Sequence, residues 1–68
     1  MKGFVLKCKN TVKNLSNNID LDRGSIHRVL FVDNEKPIII VTIQDINSNT
    51  ILTTSIDFIF DNFEIYYS

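Results

Sequence analysis

The 68-residue sequence contains no alanine and no tryptophan, and it has a single cysteine, a single histidine and a single proline. Cys8 has no second cysteine with which to form an internal disulfide. One thiol and one histidine also cannot build a zinc site, so we expect no metal and no cofactor. A chain of this length buries only about 60% of the surface that its unfolded form exposes. We therefore expect one domain over residues 1–68, stabilised by side-chain packing alone.

Long apolar runs are also missing. The first residues, MKGFVLKCKN, lack the apolar stretch of a secretory signal, and nothing approaches the ~20 apolar residues of a membrane span. We expect a cytoplasmic protein that does not contact a membrane.

The residues that are abundant are eleven isoleucines and eight asparagines. These residue types are encoded by AT-rich codons, so we expect a bacteriophage or mobile-element gene and a product that acts in the host cytoplasm. Many β-branched side chains and no alanine favour strands over helices throughout the chain.

The net charge of −1 is unevenly distributed along the chain. Residues 1–32 carry six cations and two acids, a sum of +4, whereas residues 33–68 carry one cation and six acids, a sum of −5. Either the two halves pair across one barrel and cancel, which we expect, or they form separate patches for a partner.

Alternation of apolar and polar residues predicts five strands. They are GFVLKCK (3–9), SIHRVLFVD (25–33), IIIVTIQ (38–44), TILTTSI (50–56) and FEIYY (63–67). In the second strand, His27, Val29 and Phe31 are expected on one face. Residues 10–25 are expected to form a long folded loop. Asparagines in the turn at 46–49 replace glycine where φ is positive, and DFIFDN (57–62) is expected to form one helical turn capped by Asp57.

This order of loops resembles the small SH3-like barrels of bacteria and phages. Leu21, Gly24, Ile26 and Val29 match the diverging turn and the strand that follows it, with His27 where an aromatic residue is common. The resemblance implies an all-β fold, a small five-stranded SH3-like barrel with a long first loop and a single 3₁₀ turn before the last strand. The motifs of SH3 domains that bind proline-rich peptides are absent, so we do not expect that activity.

Two sequence patterns suggest a chemical site, but each lacks residues that its chemistry requires. Asp20, Asp22 and His27 suggest acid–base chemistry, but no nucleophile with a positioned partner accompanies them. We therefore expect solvated acids, a strand histidine satisfied by its neighbours, and no enzymatic activity. DINSNT (45–50) begins like a calcium loop, but Thr50 replaces the required glycine and Ile56 the final glutamate.

The remaining functions are binding functions. We expect a small non-enzymatic adaptor protein that binds and modulates a host protein, because exposed tyrosine and isoleucine are typical of protein contact surfaces. One alternative is a nucleic-acid-binding module in which Lys7, Lys9, Lys13, Arg23 and Arg28 form a basic surface. The other is a homo-oligomer that assembles through the edge strands GFVLKCK or FEIYY. The candidate partner contacts are Lys7, Lys9, Arg23, His27, Arg28, Tyr66 and Tyr67.

Overall fold

The computed structural model describes residues 4–15, 19–35 and 37–67, without the side chains of Phe4, Asn14, Leu15 and Tyr67. Seven strands and one helix account for most of these residues. They are β1 (Phe4–Cys8), β2 (Val12–Leu15), β3 (Ile19–Leu21), β4 (Ile26–Asp33), β5 (Ile40–Asp45), β6 (Ile51–Ser55), α1 (Ile56–Asn62) and β7 (Phe63–Tyr67). The expectation of an all-β fold is confirmed: a curled antiparallel sheet forms a half-barrel around a small core.

Five strands form this sheet in the order β6-β5-β4-β1-β7, and every neighbouring pair is antiparallel. Strand β1 is therefore internal, because β4 pairs with one of its sides and β7 with the other. The prediction of GFVLKCK as an edge strand was wrong. FEIYY, which forms β7, does lie at an edge.

The long first loop contains a separate hairpin of β2 and β3, which the sequence interpretation missed. A register shift between Val12 and Leu15 interrupts the regular alternation that identifies a strand. The hairpin covers the core: Leu21 is fully buried, and Val12 and Ile19 pack against the buried cluster.

A tight turn at residues 22–25 connects this hairpin to β4. The Ser25 amide donates to the Asp22 carbonyl at 3.0 Å, and Gly24 has φ of +90°. A β-carbon at Gly24 would have no neighbour within 4 Å, so the backbone angle and not crowding requires glycine here. The Gly24 amide donates to the Cys8 carbonyl and the Cys8 amide to the Ser25 carbonyl, which fixes the turn against β1.

Strand β4 contains a β-bulge at Leu30. Val29 pairs with Ile43 and Phe31 with Thr42, so two steps along β4 correspond to one step along β5. Val29 and Val32 consequently face the core side, whereas Phe31 faces the opposite side of the sheet. The expectation that Phe31 shares a face with His27 and Val29 was therefore wrong.

The core consists of side chains from the sheet, the hairpin and α1. Its buried apolar members are Leu6, Cys8, Leu21, Val41, Ile43, Leu52, Ile59 and Phe63. The single 3₁₀ turn expected at residues 57–62 is instead a seven-residue α-helix. Its N-cap is Ser55 and not Asp57, and the Ser55 hydroxyl accepts a hydrogen bond from the Phe58 amide.

The turn between β5 and β6 agrees with its asparagine-rich sequence. Asn49 has φ of +62°, and the Asp45 carboxylate accepts hydrogen bonds from the Asn47 and Ser48 amides. In the described part of the chain, no helix is long and apolar enough to cross a membrane.

Candidate functional site

An apolar groove runs between α1 and the core side of the sheet, with a volume of about 160 Å³. Every side chain that lines it is a hydrocarbon: Leu6, Val29, Val32, Val41, Ile56, Ile59, Phe60, Phe63 and Ile65. The groove is the open side of the half-barrel.

The register explains why apolar side chains are exposed in this groove. Ile65 pairs with buried Leu6 and Val32 with buried Val41, so both face the core side of the sheet. They nevertheless remain 53% and 49% exposed. Phe60, on α1, is 65% exposed beside them. The half-barrel thus presents side chains of core type to solvent, an arrangement typical of contact surfaces.

Helix α1 has an apolar face that lines the groove and, next to it, a face with two carboxylates. Ile56, Ile59 and Phe60 have the i, i+3, i+4 spacing that puts them on one helix face. Asp57 and Asp61 follow on the adjacent face, next to Phe60, and both are exposed. Carboxylates therefore flank the most exposed apolar ring of the groove.

His27 lies inside the protein. Its ring is 3% exposed and packs edge-on against Phe63, with 5.2 Å between ring centres. Of the two expectations for this residue, inward or facing a partner, the structure agrees with the inward one. A buried ring cannot meet a partner while the core stays closed, so His27 is removed from the candidate contacts.

The hydrogen bonds around His27 define its tautomer. The Ser25 hydroxyl donates its one proton to the Asp22 carbonyl at 2.7 Å, so it accepts at 2.8 Å from the Nε2–H of His27. Nδ1 then carries a lone pair, and none of the described residues forms a hydrogen bond with it. Burial lowers the pKa of His27 below its ordinary value of 6.5, opposed by the nearby Asp45 carboxylate.

Ser25, His27 and Asp45 bring together the residue types of a catalytic triad without its geometry. In a triad, one ring nitrogen faces the nucleophile while the acid holds the other. Here Asp45 Oδ2 lies 3.9 Å from Nε2, the same atom that meets Ser25, and Nδ1 is unpartnered. This arrangement tethers the turn to the core and offers no route for general-base activation of Ser25.

The three residues considered for acid–base chemistry do not converge. Lys13 Nζ lies 3.9 Å from a carboxylate oxygen of both Asp20 and Asp22, which are solvent-exposed on the hairpin and turn. His27 is in the core, with Ser25 and Asp45 as its polar neighbours. Among the described residues, no group of three or more histidine, cysteine, aspartate or glutamate side chains could hold a metal ion.

A second cavity gathers three of the predicted cationic contacts. This cationic pocket has a volume of about 400 Å³ and is lined by Lys7, Cys8, Lys9, Arg23, Gly24 and Glu64. Cys8 contributes little surface because it is buried, with its thiol donating to the Asn10 carbonyl. Arg28 lies outside the pocket, exposed on β4 opposite Gln44.

Tyr66 lies beside the cationic pocket. It is 50% exposed, and the Lys7 ammonium is 5.4 Å from the centre of its ring. The register places Tyr66 and Lys7 on the same face of the β1–β7 pair. The side chain of Tyr67, the other predicted tyrosine contact, lies outside the described part of the structure.

The sequence interpretation missed the residues that expose most apolar surface in the groove, Val32, Phe60 and Ile65. A signal was present for Phe60, because DFIFDN following an isoleucine has helical spacing of its apolar residues. The exposure of Val32 and Ile65 depends on how far the sheet closes, which alternation does not encode.

Comparison with protein-family models, with curated proteins and with solved structures gives no match for this chain.

Proposed function

We propose that the chain is a small SH3-like barrel that acts as a non-enzymatic binding protein, with the apolar groove as its contact surface for a partner protein. The observation that carries this proposal is the exposure of Val32, Phe60 and Ile65 on the core side of the sheet. Leaving such surface in water is unfavourable by roughly 25 cal/mol per Å² of apolar area, which a partner's apolar side chains recover on binding.

The order of the elements supports the SH3-like part of the proposal. A long first loop, here the β2–β3 hairpin, is followed by a diverging turn at Gly24 and two successive hairpins, β4–β5 and β5–β6. One short helix then leads to a last strand that pairs with the first. The seven-residue helix replaces the 3₁₀ turn of the expected pattern.

The charges around the groove indicate which partner segment fits. Asp57 and Asp61 flank Phe60, and residues 33–68 sum to −5. A segment with two or three apolar anchors and adjacent lysine or arginine residues complements both features. We therefore propose a basic, amphipathic segment of a partner protein as the ligand. That a phage or mobile element encodes the chain, and that the partner is a host protein, remain predictions from composition.

The test is selection of random peptides displayed on phage against the folded protein, followed by affinity measurement on variants. We expect the selected peptides to combine apolar anchors with basic residues. Phe60→Asp should weaken their binding about tenfold or more, as for a buried aromatic anchor. The matched control is Phe31→Asp, because Phe31 is 63% exposed on the opposite face of the sheet.

Three results would overturn the proposal. One is failure to enrich any peptide that binds the wild-type protein. The second is enrichment of peptides whose binding is unchanged in Phe60→Asp. The third is equal weakening by Phe60→Asp and Phe31→Asp in proteins that both remain folded by circular dichroism.

A further inference from the structure

We propose that the cationic pocket binds single-stranded nucleic acid, with Lys7, Lys9 and Arg23 contacting phosphates and Tyr66 stacking on a base. This surface differs from the apolar groove, and the inference does not depend on the groove's function.

The three cations form no ion pair within 4.0 Å in the described part of the chain. Ion pairs of lysine and arginine within 4.0 Å there involve Lys13 alone, which contacts Asp20 and Asp22. Lys9 Nζ has only a long hydrogen bond to the Phe60 carbonyl, at 3.4 Å, and its charge is not neutralised. Cations around one cavity attract an anion with several negative oxygens.

The backbone fixes this convergence. Lys7 lies in β1 and Lys9 follows directly after its last residue, and both line the cavity. The hydrogen bonds of Gly24 and Ser25 to Cys8 hold the 22–25 turn against β1, which brings Arg23 to the same cavity. Because these anchors are backbone groups, the charged side chains can be substituted without removing them.

Tyr66 indicates single strands in preference to a duplex. Its ring is half exposed and has the Lys7 ammonium over one face, and an aromatic ring next to cations is the usual platform for an unpaired base and its phosphate. Bases stacked inside a duplex do not present a face to such a ring. Arg28, on the same face of the sheet as Lys7 through its neighbour Ile26, can extend the path of the strand.

Glu64 provides a test that is specific to phosphate binding in the pocket. It lies opposite Lys7 in the β1–β7 pair and lines the pocket, yet it makes no ion pair within 4.0 Å with any described residue. A carboxylate in that place repels a phosphate. Removing its charge should therefore tighten nucleic-acid binding, whereas a structural role alone gives no reason for such an increase.

The experiment is fluorescence anisotropy of the full chain with a labelled oligothymidylate of about 12 nucleotides, which spans one small binding surface. With three phosphate contacts, affinity should fall about 20-fold between about 50 and about 200 mM salt. The double variant Lys7→Gln, Lys9→Gln should reduce that salt dependence by about two thirds. Tyr66→Leu should weaken binding about fivefold or more, and Tyr66→Phe should restore it. Glu64→Gln should strengthen binding.

Lys13→Gln is the matched control, because Lys13 is a surface cation already paired with two aspartates. It should leave binding within about twofold of wild type. Phe60→Ser, which shortens a groove side chain and adds no charge next to Lys9, should do the same, and this keeps the test separate from that of the groove. The inference is overturned if the oligonucleotide does not bind at about 50 mM salt, if Lys13→Gln weakens binding as much as the double variant, or if a duplex of equal length binds as tightly as the single strand.

Discussion

Tyr66, Phe60 and His27 show that residue type alone does not separate contact residues from core residues in this chain. His27 has the polar group typical of a site, yet it is buried against Phe63. Phe60 is the more apolar residue and is 65% exposed. Their environments follow from position: His27 is on a strand enclosed between β1 and β5, whereas Phe60 is on the face of α1 that lines the open groove.

The buried His27 predicts a specific dependence of stability on pH. Because its pKa in the folded protein is below 6.5, the unfolded chain takes up a proton first as the solution is acidified. The contribution of His27 is therefore complete above pH 6.5 and is lost as pH falls toward the lowered pKa. The loss should be at most about 1.4 kcal/mol per pH unit, measured by urea unfolding between pH 7 and pH 5.

His27→Phe is the control for this prediction, since it keeps an aromatic ring against Phe63 and removes the titrating group. Its free energy of unfolding should change less between pH 7 and pH 5 than that of the wild type. Equal acid sensitivity of the two proteins would show that carboxylates, and not His27, cause the loss.

At the scale of elements, α1 depends on its N-cap residue, Ser55. The Ser55 hydroxyl accepts from the Phe58 amide at 3.3 Å, and the helix is only seven residues long. Such a short helix has little stability of its own, so each terminal hydrogen bond has a large share in keeping it formed. Ser55→Ala should lower the free energy of unfolding by about 0.5–2 kcal/mol, measured by urea denaturation.

Ser55→Asp preserves an acceptor at the same position and should stay close to the wild type in stability. Asp57→Ala removes the other candidate acceptor and should have a smaller effect than Ser55→Ala, because Ser55 already caps the helix. If Asp57→Ala destabilised the protein as much as Ser55→Ala, the assignment of the cap would be wrong.

The elements differ in how well the sequence predicts them. β1, β6 and β7 alternate regularly, and their predicted and observed limits agree closely. The turn residues Gly24 and Asn49 are also where positive φ is expected and found. The sequence does not predict the β2–β3 hairpin or the face of the sheet on which Phe31 lies. In both places a register shift interrupts the two-residue alternation of apolar and polar side chains. The sequence does not predict the groove either, because exposure depends on closure of the whole sheet.

At the scale of the molecule, a small charge accompanies an exposed apolar groove. The chain carries −1 at pH 7 and has an isoelectric point near 5.6. Proteins near zero net charge repel one another weakly, so apolar surfaces meet more often. We expect light scattering at a fixed protein concentration to be higher at pH 5.6 than at pH 8.

Phe60→Ser should reduce this association without changing the charge, since it removes the most exposed ring of the groove. Phe31→Ser removes a similar exposed area from the other face of the sheet and should have less effect. If both variants scattered light as strongly as the wild type at pH 5.6, association through β7 would become the better explanation.

Because of the bulge at Leu30, β4 and β5 differ in how they tolerate the deletion of a single codon. β4 contains one residue more than its partner needs, so losing one codon anywhere from 29 to 31 leaves the inward and outward positions on both sides of the deletion unchanged. The same loss inside β5, which has no spare residue against β6, would turn every following side chain of that strand to the opposite face. A folded protein should therefore tolerate an in-frame single-codon deletion at the bulge of β4, whereas the same deletion in β5 should prevent folding. In β4 such a deletion would alter the curl of the sheet, and with it the width of the groove, before it altered the core.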